Sequence, residues 1–137
     1  MADDLIKFAD DINDAIKAFP KETKKFMKEE GRKLRKQMRA RARRTINRKT
    51  GNYLSGFRVG RKIYKWSDAD YNIRVYNGSP HAHLLEYGHR MLTHAGKMVG
   101  YVTGYHIVEH AGKAFEPEYL DDINNNLVDF ILEELGK

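Results

Sequence analysis

The chain has 137 residues, enough for one domain with a real core, and carries 25 Lys and Arg against 19 Asp and Glu, a net charge of +6. A composition that is 41% apolar and 32% charged excludes a disordered tail. Without cysteine it has no disulfide, thiolate metal site or Cys nucleophile, no apolar run approaches the ~18–20 residues of a membrane span, and the acidic start lacks the basic opening of a signal peptide.

Residues 1–19 form the first segment, with a helix predicted over 3–19. Asp3 or Asp4 can cap it, and Leu5, Phe8, Ile12, Ala15, Ile16 and Phe19 line one side. Pro20 ends or bends that helix and suits the first turn of the next. The second segment, 20–49, is a long basic helix. Within residues 24–49 lie 13 of the 25 basic residues and only two of the 19 acidic ones, Glu29 and Glu30, so the remainder of the chain is net negative. Met27, Leu34, Met38, Ala42 and Ile46 recur at intervals of seven, four, four and four, a narrow apolar stripe on a 3.6-residue period. Arg32, Lys33, Arg35, Lys36, Arg39, Arg43 and Arg44 fill the rest of the circumference. A helix of this kind docks by its stripe and presents a wide cationic face, either as a solvated surface or as a surface for an anionic partner.

The helical period stops at Thr50, Gly51 and Asn52, and residues 50–104 read as the β-rich part. Phe57, Val59 and Ile63 alternate with polar residues, as do Tyr71, Ile73 and Val75 after a turn at Ser67–Asp70, which predicts a β-hairpin. A short helix is predicted at His81–Tyr87 with Ser79 as its cap. Glycines at 88, 96, 100 and 104 make 88–104 a long loop, in which Lys97–Thr103 can add a short strand. Residues 105–137 are helical, with interruptions expected near Gly112 and Pro117 and with Leu120, Ile123, Leu127, Phe130 and Ile131 sharing a face.

All six histidines lie between positions 81 and 110. His106, Glu109 and His110 form an H-x-x-E-H pattern. On a helix, two His at i and i+4 can share a zinc ion while the Glu deprotonates its water, and His81, His83, Glu86 or His94 would supply a third ligand. The pattern fixes only three positions in a stretch rich in histidine, so non-catalytic histidines are the preferred reading and a small zinc hydrolase the remote one. There is no glycine-rich phosphate loop and no G-x-S-x-G elbow, so the sequence does not read as an enzyme.

Three landmarks in order carry a family resemblance: Lys49–Leu54 (KTGNYL) after the basic helix, His83–His89 (HLLEYGH) after the hairpin, and the terminal helix entered through Gly104, Tyr105 and His106. Together they resemble the small neck and tail-completion proteins of long-tailed bacteriophages and their relatives in prophages and phage-tail-like particles. The resemblance covers about residues 20–135, with HLLEYGH its most specific part. It implies an α+β protomer, with helices packed on a small, mainly antiparallel sheet, in a ring (a hexamer by family analogy) at the head-proximal end of the tail. It further implies a structural role without cofactor, with itself, tail tube or sheath, and connector or adaptor proteins as partners, assembled in the bacterial cytoplasm into a virion or particle. On this chain Gly51 would turn the basic helix into the sheet, Leu84 and Leu85 would enter the core, Glu86 would hydrogen-bond nearby, and Gly88 would adopt a positive φ. Arg32, Arg35, Arg39, Arg43 and Arg44, with Met91, Leu92, Met98 and Tyr101 of the 88–104 loop, are the expected interface or lumen residues. Nucleic-acid binding by the basic helix 24–49 is the alternative, including DNA passing through a ring lumen, although only Phe26 is available there for stacking on bases. No membrane partner is expected, because the stripe is Met, Leu and Ala without Trp.

Overall fold

The computed structural model describes residues 2–46, 51–67 and 70–136. The chain is α+β. Helices α1 (Ala2–Ala18) and α2 (Pro20–Thr45) are followed by the short α3 (Gly51–Ser55) and four short strands, β1 (Phe57–Val59), β2 (Tyr64–Ser67), β3 (Asp70–Asn72) and β4 (Val75–Asn77). Then come α4 (Ala82–Tyr87), β5 (Gly88–Leu92), β6 (Met98–Thr103) and α5 (Ile107–Asp122), and a π-helical segment Ile123–Val128 leads into α6 (Asp129–Leu135). The chain divides into two compact units, residues 1–33, 59–74 and 116–137 in the first and 34–58 and 75–115 in the second.

In the first unit Pro20 breaks the helix at Phe19, whose carbonyl accepts the N–H of Thr23 at 3.0 Å and its hydroxyl at 2.8 Å. Asp3 and Asp4 lie inside the first turn of α1 rather than capping it, where their charge suits the positive end of the helix. Phe8, Ile12 and Ala15 lie outside the residues whose side chains are described. Phe26 and Leu127 are buried, with Ile16, Phe19, Met27, Tyr119, Ile123 and Phe130 around them. Phe130 meets Phe19 edge-on at 6.2 Å between ring centres. Strands β2 and β3 are antiparallel, with Tyr64 opposite Asn72.

In the second unit Met38 and Ala42 of α2, with Ile46 just past its end, enter a core shared with Tyr53, Phe57, Ile107 and Ala111. These are the predicted stripe residues, and Leu34 packs at the edge. Strand β1 pairs with β4. Asn77 ties this corner together: its Nδ2 donates to the Tyr53 carbonyl at 2.8 Å and its Oδ1 accepts the Ser79 N–H at 2.8 Å.

Several expectations need correction. The hairpin expected from residues 57–63 and 71–76 is two separate ladders, because residues 60–63 and 73–74 leave strand geometry, and the Gly60 N–H donates to the Arg74 carbonyl between them. Ser79 does not cap α4 through its side chain; its backbone carbonyl accepts the Ala82 N–H. The basic helix is described only to Thr45, and the predicted helical residues 47–49 lie outside the described residues. Gly51 opens the short α3, so a further helical turn stands between the basic helix and the first strand. The 88–104 loop is a β-hairpin. Helix α5 runs through Gly112 and Pro117 because Ile107, Ala111 and Phe115, spaced by four, bury one face in sufficient depth to override the bond lost at proline. The interruption comes later, as the π-helical segment, whose wider turn shifts the side-chain register. Leu120 is consequently 56% exposed while Leu127 is buried, and the side chain of Ile131 lies outside the description.

Candidate functional site

The HLLEYGH segment closes a brace between α4, the base of the β5–β6 hairpin and the start of α5. The first N–H groups of a helix have no partner inside it and carry its positive end. The buried Glu86 carboxylate supplies partners at α5: Oε2 accepts the Val108 N–H at 2.9 Å and Oε1 accepts the Glu109 N–H at 3.1 Å. The backbone of the same segment accepts two more bonds, from Tyr105 N–H to the Leu85 carbonyl (2.8 Å) and from His106 N–H to the Glu86 carbonyl (3.1 Å). The Tyr101 hydroxyl donates to the Tyr87 carbonyl at 2.9 Å.

Two glycines permit this closeness. Gly88 has φ +85°, and a Cβ there would lie 2.3 Å from the Val102 carbonyl oxygen. A Cβ on Gly104 would lie 2.3 Å from the Glu86 carbonyl oxygen and 2.5 Å from the Tyr87 carbonyl carbon. Both obstacles are backbone, which cannot swing aside. Leu85 packs against the core, but Leu84 does not enter it: it is half-buried and lines a groove.

From this brace the hairpin projects. Strands β5 and β6 are antiparallel with Gly88 opposite Thr103, Arg90 opposite Tyr101 and Met91 opposite Gly100, with an irregularity before Leu92, which pairs with Met98. Its turn is closed by Thr93, whose N–H donates to the Lys97 carbonyl (2.9 Å) and whose Oγ1 accepts the Lys97 N–H (3.1 Å). Met91, Leu92, Met98, Val99 and Tyr101 are 48–61% exposed. These five large apolar side chains are exposed along one ribbon, divided between its two faces because successive strand residues alternate.

The arginines of α2 divide. Arg32, Arg39, Arg43 and Arg44 are exposed, whereas Arg35 is half-buried and its Nε donates to the Phe57 carbonyl at 2.7 Å, which commits it to the fold of its own chain. In the first unit an open cleft of about 370 Å³ is lined by Lys21, Lys24, Lys25, Lys28 and Arg32 with Glu29.

Of the H-x-x-E-H residues, Glu109 and His110 lie on α5 and His106 lies just outside it. His106 precedes α5 with φ +50°, and its ring stands edge-on to that of His110 with centres 6.2 Å apart. Glu109 is half exposed and pairs with Lys113 at 3.0 Å and with His106 Nδ1 at 3.2 Å. The Lys113 ammonium, first by hydrogen bond and then by charge, holds the Glu109 carboxyl below its ordinary range. Glu86, a candidate third ligand, spends both oxygens on α5. Among the described residues no three His, Asp or Glu side chains gather as a metal site.

One charged cluster escaped the sequence reading. Glu30 is 3% exposed in the first unit, with Lys33 Nζ 3.7 Å from its Oε1 and 2.9 Å from Asp122 Oδ2. Burial, then the adjacent Asp122 carboxylate, push Glu30 up to about 7. The Lys33 hydrogen bond holds Asp122 below its ordinary value. The signal was present: position 30 falls three after Met27 and four before Leu34, on the apolar stripe itself.

Among the described residues no helix is long and apolar enough to cross a membrane. No curated protein and no solved structure matches the chain. Residues 3–88, more than half of the sequence, match the family described as "Bacteriophage HK97-gp10, putative tail-component". The chain therefore belongs to the HK97-gp10-like family and is a structural bacteriophage tail component, a part of the virion that works against other tail or head proteins.

Proposed function

We propose that the chain is a neck or tail-completion protein whose 137 residues act as one protomer of a closed ring, a hexamer by family analogy, that joins the head-proximal end of the tail to its connector. It assembles in the bacterial cytoplasm before it enters the virion, and its role is structural rather than catalytic. The observation that carries this reading is the β5–β6 hairpin, whose Met91, Leu92, Met98, Val99 and Tyr101 are about half exposed. Rings of identical subunits use head-to-tail contacts in which two different surfaces of one protomer meet. The cationic side of α2 (Arg32, Arg39, Arg43, Arg44) and the acidic residues of α6 (Asp129, Glu133, Glu134) offer a charge-complementary pair that selects partner and register, while apolar anchors supply affinity.

Negative-stain microscopy and native mass spectrometry of the purified protein test it: rings of uniform size are expected. The triple variant Arg39→Glu, Arg43→Glu, Arg44→Glu should stay folded, because all three side chains are exposed, yet fail to form rings. Wild-type-sized rings from that variant would remove α2 from the interface. A second reading, DNA held by α2 as it passes through the lumen, is favoured by the open lysine cleft at residues 21–32. A gel shift that weakens steeply between low and physiological salt supports it, and no retardation at low salt refutes it.

A further inference from the structure

The basic face of α2 changes chemistry along its length. Residues 21–33 carry five lysines and one arginine, whereas residues 35–44 carry five arginines and one lysine. The lysine end belongs to the first unit and lines the open cleft of about 370 Å³. Lys21, Lys25, Lys28 and Arg32 recur at four, three and four residues, so they share one side of the helix with Lys24 beside them, and all five are exposed. Lys33 is held elsewhere, by Asp122 and Glu30. Glu29 is the single carboxylate of the described lining.

We infer that this lysine cleft, and not the arginine end of α2, binds the phosphate backbone of double-stranded DNA without reading its sequence, an inference that rests on the DNA reading above and narrows it to one site. The charge spacing fits. From Lys21 to Arg32 the helix rises about 16 Å, so five cations come about one per 3–4 Å, close to the one phosphate per ~3.4 Å of axis on each strand of a duplex. An acidic protein fits less well, because protein contacts take their affinity from apolar anchors and the described lining holds no apolar residue. A single strand fits less well too. Such strands are held by bases stacked on aromatic rings, and Phe26, the one ring in the basic stretch, is 7% exposed and part of the core of its unit. Composition divides the two ends in the same sense. Arginine is enriched in protein interfaces and lysine depleted there, which suits the arginine end to subunit contacts and leaves the lysine end for phosphates.

Gel-shift titrations of the full chain test it, with a random-sequence duplex of about 20 base pairs and with one of its strands, between about 50 and 200 mM salt. Five phosphate contacts give a slope of log affinity on log salt of about −4.5, a loss of roughly 500-fold over that range, and the duplex should bind more tightly than the strand. The triple variant Lys24→Gln, Lys25→Gln, Lys28→Gln should flatten the slope by about 2.7 without changing the oligomeric state of the parent. Arg39→Gln, Arg43→Gln, Arg44→Gln should keep the slope, and Glu29→Gln should tighten binding about threefold. A slope flattened equally by the two triple variants, or a strand bound more tightly than the duplex, overturns the cleft as the site and leaves the DNA reading standing. Altered oligomers in the lysine variant make the cleft an assembly surface and likewise overturn it. A parent chain that retards no duplex at low salt overturns both.

Discussion

Glu30 and Glu86 are both buried carboxylates on helices, 3% and 8% exposed, and they sit in opposite company. Glu86, in the second unit, meets two N–H groups at the positive end of α5. Glu30, in the first, meets another carboxylate and shares one half-exposed lysine with it. Removing a carboxylate from water is unfavourable in both places, but only Glu86 receives directed donors in return. The Glu86 site therefore ties elements together, whereas burial and the neighbouring Asp122 raise the Glu30 carboxyl above its ordinary range. Burial alone says little about what a buried charge does; the donors around it decide.

The largest effect is expected where the Glu86 brace cannot yield. Gly104→Ala places a methyl group against the carbonyls of Glu86 and Tyr87, and a loss of more than about 3 kcal/mol in denaturant unfolding is expected. Stability within about 1 kcal/mol of the parent would show the brace to be pliable.

Next comes the carboxylate itself. Glu86→Ala leaves the Val108 and Glu109 N–H groups unanswered, with a loss of about 2–4 kcal/mol. Glu86→Gln retains one good acceptor and should lose less, and loss of amide-exchange protection should begin at Val108.

Glu30 reverses the sign. Its ionisation in the folded state, near pH 7, lies above the ordinary 4.5 of the unfolded chain, so the folded state holds the extra proton between those values. Stability from this group falls as pH rises from about 4.5 to 7 and stays low above, a change on the order of 1–3 kcal/mol. Asp122 runs the other way, contributing stability above its ordinary 3.8 that disappears as pH falls through its lowered folded value. Thermal unfolding between pH 4 and 8 should therefore peak near pH 5, and Glu30→Gln should flatten the alkaline side. An unchanged slope in that variant would assign the pH dependence elsewhere.

The smallest effect is a control for the first. A Cβ on Gly112, inside α5, meets nothing within 4 Å, so Gly112→Ala should stabilise by about 0.5–1 kcal/mol. The two glycine variants differ in sign because one glycine admits a neighbouring backbone and the other merely weakens a helix.

Much of the scaffold was legible in the residues. The four-spaced stripe Met38, Ala42 and Ile46 predicts the buried side of α2, and these three residues are buried. The strand pairing was legible only in outline, since residues 60–63 carry an alternating pattern into a stretch that leaves the ladder. Position 30 showed what a stripe hides: periodicity marks which side is inward, not that a carboxylate can be accommodated there beside Asp122, 92 positions away in the chain. The H-x-x-E-H pattern, read from the start as a remote metal candidate, has a related weakness. Spacing assumes one continuous helix, and the backbone at His106, with φ +50°, starts that helix one residue too late.

Sequence by itself determined the helical and strand periods, the concentration of charge on α2 and the family, because these are properties of neighbours along the chain. Only the tertiary structure decided that Glu86 caps α5, that residues 88–103 form a projecting hairpin rather than a loop, and that Arg35 is bound to its own chain while Arg39, Arg43 and Arg44 remain exposed. The Glu86 and Arg35 bonds join groups 22 residues apart at about 3 Å, and no local preference of the chain specifies such a meeting.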